Sequence, residues 1–328
     1  MYKNFKKNII VFFVSIFVFM IVILFTNYFF YKVPLSVLWI DKVYQKKEDY
    51  AKSITNPKLV VTGGSGVLFS VETHYLENRL GIPTVNMGVN AGLKTDYILY
   101  RTKKVLNSKD IVLVILEYPN LVWDGEQSIV RTDYVLTYDK DFFLFYMDFL
   151  DKFIMLNSVT NPSKYVRVVK QYRKKLKESS NADVYNSKTI NINGDETFKN
   201  AKNKILDINS FTPFTLPNKI ETKGILSLLE FNRWCQDNNI SILVSFPSTL
   251  PHKEYFTKDY QEYFKKILQY LAKHNIKVIG TPNDFFYPVN YFYDTNYHLN
   301  SKGAVINTKK LEKILKKDKI IETLLNNI

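Results

Sequence analysis

Leu59-Val-Val-Thr-Gly-Gly-Ser-Gly-Val-Leu-Phe-Ser70 is the stretch that decides the fold. An apolar, β-branched run breaks at a glycine pair, and Ser65 then opens a second apolar run of helical character, Val67–Leu80. Strands buried on both faces read as continuous apolar runs, without alternation. Leu59–Thr62 is one such run, and Thr84–Met87, Ile111–Leu116, Ile240–Phe246 and Ile276–Ile279 are four more. Gly, Pro, Asn or Asp bounds them, and helical stretches fall between. This alternation predicts a three-layer α/β fold with right-handed crossovers.

In that fold Ser65 lies where the first strand ends and a helix begins, the edge at which open α/β sheets bind ligands. Three readings fit a serine there: an activated nucleophile with helix N–H groups facing an oxyanion, a plain tight turn, or a phosphate loop. Neither G-x-x-x-x-G-K-[ST] nor G-x-G-x-x-G is present, which counts against the phosphate loop. The next strand runs into Val85-Asn86-Met-Gly88-Val-Asn90-Ala-Gly92, which is either an ordinary Asn/Gly turn or a second part of one site. In the latter case Gly88 would offer a bare N–H, and Asn86 and Asn90 their amides. Near the C-terminus, Asp294-Thr-Asn-Tyr-His298-Leu-Asn-Ser-Lys-Gly303 leads into the last long helical stretch. A serine needs a base near neutral pH, and histidine has the matching pKa. His298 is the first candidate, with Asp294 near enough to orient it, and His252 is the second. His74 and His274 fall on expected helices.

The flanks of this core differ from it. Ile9–Phe30 is 22 residues without a charge, long enough to cross about 30 Å of hydrocarbon. Lys3, Lys6 and Lys7 precede it, which favours a cytoplasmic N-terminus. No small-residue cleavage site follows, so the segment reads as an uncleaved anchor. The expected division is a cytoplasmic tail over 1–8, a transmembrane anchor over 9–30, a juxtamembrane helix or stalk over 31–56, and a domain over 57–328. Pro119 to Leu226 is about a hundred residues without a βαβ rhythm, too long for an ordinary connection. It holds an aromatic patch at Phe142–Phe153, a lysine-rich helical run at Lys164–Lys177 and a polar stretch at Ser179–Asn203. It reads as an insertion, about 122–222, over the edge or mouth of the sheet, with disorder an equal reading for 179–203.

Composition narrows the classes. The chain has 328 residues, 46% of them hydrophobic, with 24 Phe and 23 Tyr, so a large core can form and global disorder is excluded. Cys235 is the single cysteine, which excludes an internal disulfide and a cysteine metal cluster. The net charge of +14 has scattered lysines and no nucleic-acid motif, and it reads first as a solvated basic surface without a specific partner; outside a membrane its natural counter-charges would be anionic lipids and envelope polymers.

The order of an early serine at a glycine turn, a Gly/Asn turn and a late Asp and His resembles the SGNH hydrolase superfamily (GDSL-like esterases). Most similar is its membrane-anchored, extracytoplasmic branch, which includes the D-alanyl transfer proteins of teichoic acid and the alginate-type polysaccharide O-acetyltransferases. The likeness covers about 57–121 and 240–312, carried by GGSGVLFSVE, IPTVNMGVNAG, DIVLVILEYPN and DTNYHLNSKG. It implies an SGNH-like α/β/α sandwich with a five-stranded parallel sheet behind one N-terminal transmembrane helix. It further implies Ser65 as nucleophile, His298 as base and Asp294 as its orienting acid. The oxyanion would be met by Ser65 and Gly88 N–H groups, with Asn90 or Asn120 as side-chain donor.

Three departures stand out. Gly64 occupies the position where the family's serine block carries Asp. The third-block Asn has only Asn120, in Glu117-Tyr-Pro-Asn120, to represent it. Asp294 precedes His298 by four residues, where the family has D-x-x-H; Thr295, Asn296 or a bare Ser–His dyad are the alternatives. Glu117 itself reads equally as a polar wall of the site or a strand-end residue.

The expected function is a membrane-anchored serine esterase or O-acyltransferase acting on an envelope glycopolymer or lipid through an acyl-serine. No cofactor, metal or nucleic acid is implied, and a polytopic membrane acyltransferase is an implied partner. The competing class is a non-catalytic envelope assembly or binding protein of the same fold.

Overall fold

The computed structural model describes residues 2–30, 35–159, 170, 185–197 and 210–325. Five strands form one all-parallel sheet in the order β2-β1-β3-β4-β5: β1 Leu59–Gly63, β2 Thr84–Asn86, β3 Ile111–Ile115, β4 Ser241–Ser245 and β5 Lys277–Val278. Every residue of β1, β2 and β3 is buried, as the unbroken apolar runs require of strands covered on both faces. β1 and β3 pair along their whole length, from Leu59↔Ile111 to Gly63↔Ile115. The polar edge member β5 keeps only two residues of the expected run, with Lys277 exposed.

The helices are α1 Tyr2–Phe30, α2 Leu35–Ser53, α3 Ser65–Ser70, α4 Thr73–Leu80, α5 Thr95–Lys103, α6 Tyr118–Leu121, α7 Ile129–Tyr138, α8 Phe149–Val159, α9 Lys223–Asp237, α10 Lys258–Lys273, α11 Ser301–Leu315 and α12 Lys319–Leu325. The 29 residues of α1 extend about 43 Å at 1.5 Å per residue. Its side chains are described from Lys6 to Val22, and all of these are exposed. Over the described residues no helix is both long and apolar enough to cross a membrane.

The segment read as a juxtamembrane helix or stalk is helical over Leu35–Ser53, and it packs into the domain. Val37, Ile40, Val43, Tyr44, Lys47 and Ala51 of α2 are all buried to within 1%. Glu48 takes the Arg101 Nε–H at 2.7 Å, and the Arg101 guanidinium lies 4.4 Å above the Tyr44 ring. Pattern alone could not show this, because the apolar residues of α2 are interrupted by ionic groups whose partners lie on α5.

The long connection also departs from expectation. Residues 185–197, within the stretch read as polar and open to disorder, are ordered against the sheet edge. Asn86 N–H donates to Asn193 O at 2.8 Å. Asp195 accepts from Thr73 N–H and His74 N–H, both at 2.9 Å, and so caps α4 from a distance. The lysine-rich run at 164–177 lies outside the described residues except for Lys170, and so do 179–184 and 198–203.

At the opposite edge from the serine turn, Lys58 Nζ meets Asp110 at 2.8 Å, both side chains within 1% of full burial. Asp110 also accepts from Lys58 N–H and Asn107 N–H, at 3.0 and 2.8 Å, so it fixes the starts of β1 and β3 together. Removing one partner of such a pair strands a buried charge. Asp110→Ala should therefore lower unfolding free energy by about 3–5 kcal/mol in a denaturant titration. Lys58→Met with Asp110→Leu should recover part of that loss, and a single-variant cost below about 1 kcal/mol would mean the pair is effectively solvated.

Candidate active site

The serine turn is built around a carboxylate. Glu117, just past β3 and 2% exposed, accepts from Gly66 N–H at 2.6 Å, Gly64 N–H at 3.2 Å and Asn120 Nδ2 at 3.3 Å. Burial raises its pKa, opposed by the hydrogen bonds from Gly66 and Asn120. A Cβ on Gly64 would stand 2.5 Å from the carboxylate oxygens and 2.6 Å from Ala91 Cα. Gly64 thus stands where the resembled family has Asp because a carboxylate from another strand already fills the space. Glu117 is part of the wall of the site.

Between the two clamped glycines, Ser65 is half-buried. Its Oγ and its N–H make no hydrogen bond among the described residues. It is the first residue of α3, and the first N–H groups of a helix have no partner within it.

His298 is carried to this helix by two of its residues. Ser70, at the end of α3, donates its hydroxyl to Tyr297 O at 3.0 Å and accepts from Leu299 N–H at 3.3 Å, clasping the histidine from both sides. The imidazole stacks on Phe69 with ring centroids 4.2 Å apart and planes 9° apart. Phe69 lies four residues after Ser65, so the two share a face of α3 one turn apart. The structure also brings Asp294 to the imidazole: its Oδ1 is 2.7 Å from His298 Nδ1. A hydrogen bond from Tyr293 N–H to His298 O, 2.8 Å, closes the loop between them, so the longer spacing still returns the carboxylate to the ring.

Tyr185 completes the group and was not foreseen. Its hydroxyl donates to Asp294 Oδ2 at 2.8 Å and lies 3.3 Å from His298 Nδ1. Burial and the Asp294 charge raise its pKa. Its φ of 71° is a left-handed conformation that non-glycine residues seldom adopt, held here by packing against Trp39 and Phe69. Nothing local in the sequence marks such a residue, which lies 109 positions from its carboxylate partner.

The remaining candidates divide. Asn90 Oδ1 accepts from Gly92 N–H at 2.8 Å, and its amide nitrogen has no partner among the described residues. Asn90 is half-buried, and Ala91 beside it packs on Gly64. Gly88 N–H instead donates to Asn86 Oδ1 at 3.0 Å, and a Cβ on Gly88 would meet Val67 Cβ at 2.6 Å. Gly88 is a packing contact with α3 whose donor is already engaged. Asn120 commits its amide nitrogen to Glu117, and its Oδ1 is buried without a partner. Lys47 of α2, fully buried, donates to the Gly88 carbonyl and lies 3.5 Å from Asn86 Oδ1, so α2 braces this turn. The runner-up base His252 packs on Tyr255 with ring centroids 5.3 Å apart, and burial lowers its pKa. Among the described residues no group of three acidic, His or Cys side chains is arranged to hold a metal ion. A cleft of about 1000 Å³ adjoins the His298 loop, lined among others by Pro119, Val122, Phe214, Asn296 and Tyr297.

No protein-family model matches the sequence, and neither does any curated protein. Among solved structures, the chain is similar to a proposed acylhydrolase from Bacteroides fragilis NCTC 9343, at 11% identity and a TM-score of 0.42, over 85% of this chain and 96% of that one. It is also similar to the Bacillus subtilis protein YXIM, at 14% identity and a TM-score of 0.36, over 80% of this chain and 57% of that one.

The occupied space at Gly64 has a counter-intuitive consequence. Gly64→Asp, which restores the residue usual in the resembled family, should destabilise by about 1–3 kcal/mol through overpacking. A second carboxylate pressed against Glu117 should make it worse than Gly64→Ala. A urea titration of the two variants checks this, and wild-type stability in Gly64→Asp would mean that Glu117 is free to leave.

Proposed function

We propose that the chain is a serine esterase or O-acyltransferase anchored in a membrane by α1 and acting on an envelope glycopolymer or lipid outside the cytoplasm. One observation carries the chemical part. On one face of α3, Ser65 Oγ and His298 Nε2 are both left without hydrogen-bond partners among the described residues, while Asp294 holds the other ring nitrogen.

In that reading Asp294 keeps the proton on Nδ1, so Nε2 presents its lone pair to Ser65. Ser65 Oγ attacks the acyl carbonyl carbon as its proton passes to Nε2. The carbonyl oxygen becomes an oxyanion facing the uncommitted Ser65 N–H and the Asn90 amide. Collapse expels the alcohol, which takes the proton from Nε2 and leaves an acyl-serine. A water or a sugar hydroxyl then gives its proton to Nε2 and attacks the acyl carbon, and collapse releases Ser65, whose Oγ takes that proton back from Nε2. Tyr185, hydrogen-bonded to Asp294, fixes the carboxylate against the ring.

One feature favours the second reading, a binding protein of the same fold: Ser65 and His298 are not hydrogen-bonded to each other. Such contacts often tighten only with substrate bound, so the esterase reading leads. The anchor is supported by the uncharged span Ile9–Phe30 within the continuous helix α1.

Turnover of p-nitrophenyl acetate separates the two readings. Ser65→Ala and His298→Ala should each lose about 10²–10⁴-fold, and the double variant should be little worse than either, because the pair acts as a unit. Asp294→Asn should lose less. A wild-type rate no higher than that of Ser65→Ala would put the binding protein first.

A further inference from the structure

Helix α8 is inside out. It turns Asp151, 5% exposed, and Met155, 0% exposed, toward the domain, and turns Phe149, Leu150, Phe153 and Ile154 to the outside at 84, 63, 55 and 41% exposure. The preceding turn adds Phe145 at 75% and Tyr146 at 63%. Surface helices of globular domains in water place their apolar stripe inward, and apolar patches of this extent mark an interaction surface.

Its position in the fold identifies the partner. Asp151 and Asp148 are gripped by Lys223 Nζ, at 3.0 and 3.4 Å. Lys223 is the first residue of α9, which leads into β4, so it lies at the carboxyl edge of the sheet, the edge that carries Ser65 and His298. Helix α2 leads into β1, so its opening turns lie at that edge too. Trp39 there packs on Tyr185 with ring centroids 5.2 Å apart. The chain therefore reaches α1 from the same edge that carries the inverted face. A run of ring contacts joins the two features, from Tyr44 to Tyr134, Tyr97, Phe142 and Tyr146.

We propose that the inverted face of α8 and its preceding turn dock onto a lipid bilayer, seating the carboxyl edge of the sheet, and with it the candidate active site, toward the membrane. Phe, Tyr and Leu side chains suit the boundary between headgroups and acyl chains. The chain's net charge of +14 complements anionic lipid. A substrate would then reach Ser65 from the bilayer surface. This rests on α1 anchoring the chain and is independent of the serine chemistry.

The test uses the full chain in vesicles of phosphatidylcholine and phosphatidylglycerol, with an environment-sensitive fluorophore on single introduced cysteines. Burial pushes the Cys235 thiol up to about 12 and shields it from the label. Phe149→Cys and Phe145→Cys report the face, Lys273→Cys the opposite edge, and Phe17→Cys the anchor. Spin-labelled lipids should quench positions 149 and 145 several-fold more than 273. With position 17 quenched, equal quenching at 149 and 273 overturns the docking alone. An unquenched position 17 overturns the anchor and the docking with it. Blue-shifted emission at 149 without lipid quenching means that protein covers the face, and also overturns the proposal.

Discussion

The buried carboxylate of Glu117 is the constraint around which the site is arranged. It reaches from the end of the central strand β3 to the N–H groups on both sides of Ser65, and so ties the sheet to the first turn of α3. The tie leaves no volume for a side chain at Gly64, and it keeps the serine half-exposed with its own N–H uncommitted. Removing a buried acceptor strands its donors at about 1–3 kcal/mol each, so the geometry is held against drift.

Everything else at the site is attached to that short helix. Ser70 closes its far end on the His298 loop, Phe69 supplies the surface on which the imidazole lies flat, and Gly88 packs against its side. Lys47 supports the Gly88 turn from α2, and Trp39 of the same helix supports Tyr185. The segment that leads from the N-terminal helix into the domain thus touches both the turn beside Ser65 and the partner of Asp294. Ser65 and His298 lie more than 230 positions apart in the chain, and α3 is the common surface beside which both are placed.

Much of the framework was legible in the sequence because parallel strands covered on both faces leave unbroken apolar runs. All five were located to within two residues at each end, and the five-stranded parallel sheet is the one the SGNH resemblance implied. Ser65, Asp294 and His298 were legible as residue types at a sheet edge. What could not be read were the side-chain commitments. Asn86 takes the Gly88 N–H and Glu117 takes the Asn120 amide, which removes two expected oxyanion donors, and both choices depend on rotamers set by packing. Tyr185 escaped notice because it lies in a polar stretch whose order comes from distant partners. The buried role of α2 escaped for the same reason, since its ionic residues look solvated until Arg101 and Gly88 are placed beside them.

The central claim is that Ser65 is an activated nucleophile with His298 as its base. A fluorophosphonate probe, read by mass spectrometry of the labelled peptide, tests it most directly, because such probes react with serines that a neighbouring base has activated. The account predicts a single adduct on Ser65, lost in His298→Ala although the serine is still present. An unlabelled Ser65 in the folded wild-type chain, or equal labelling in His298→Ala, would contradict it.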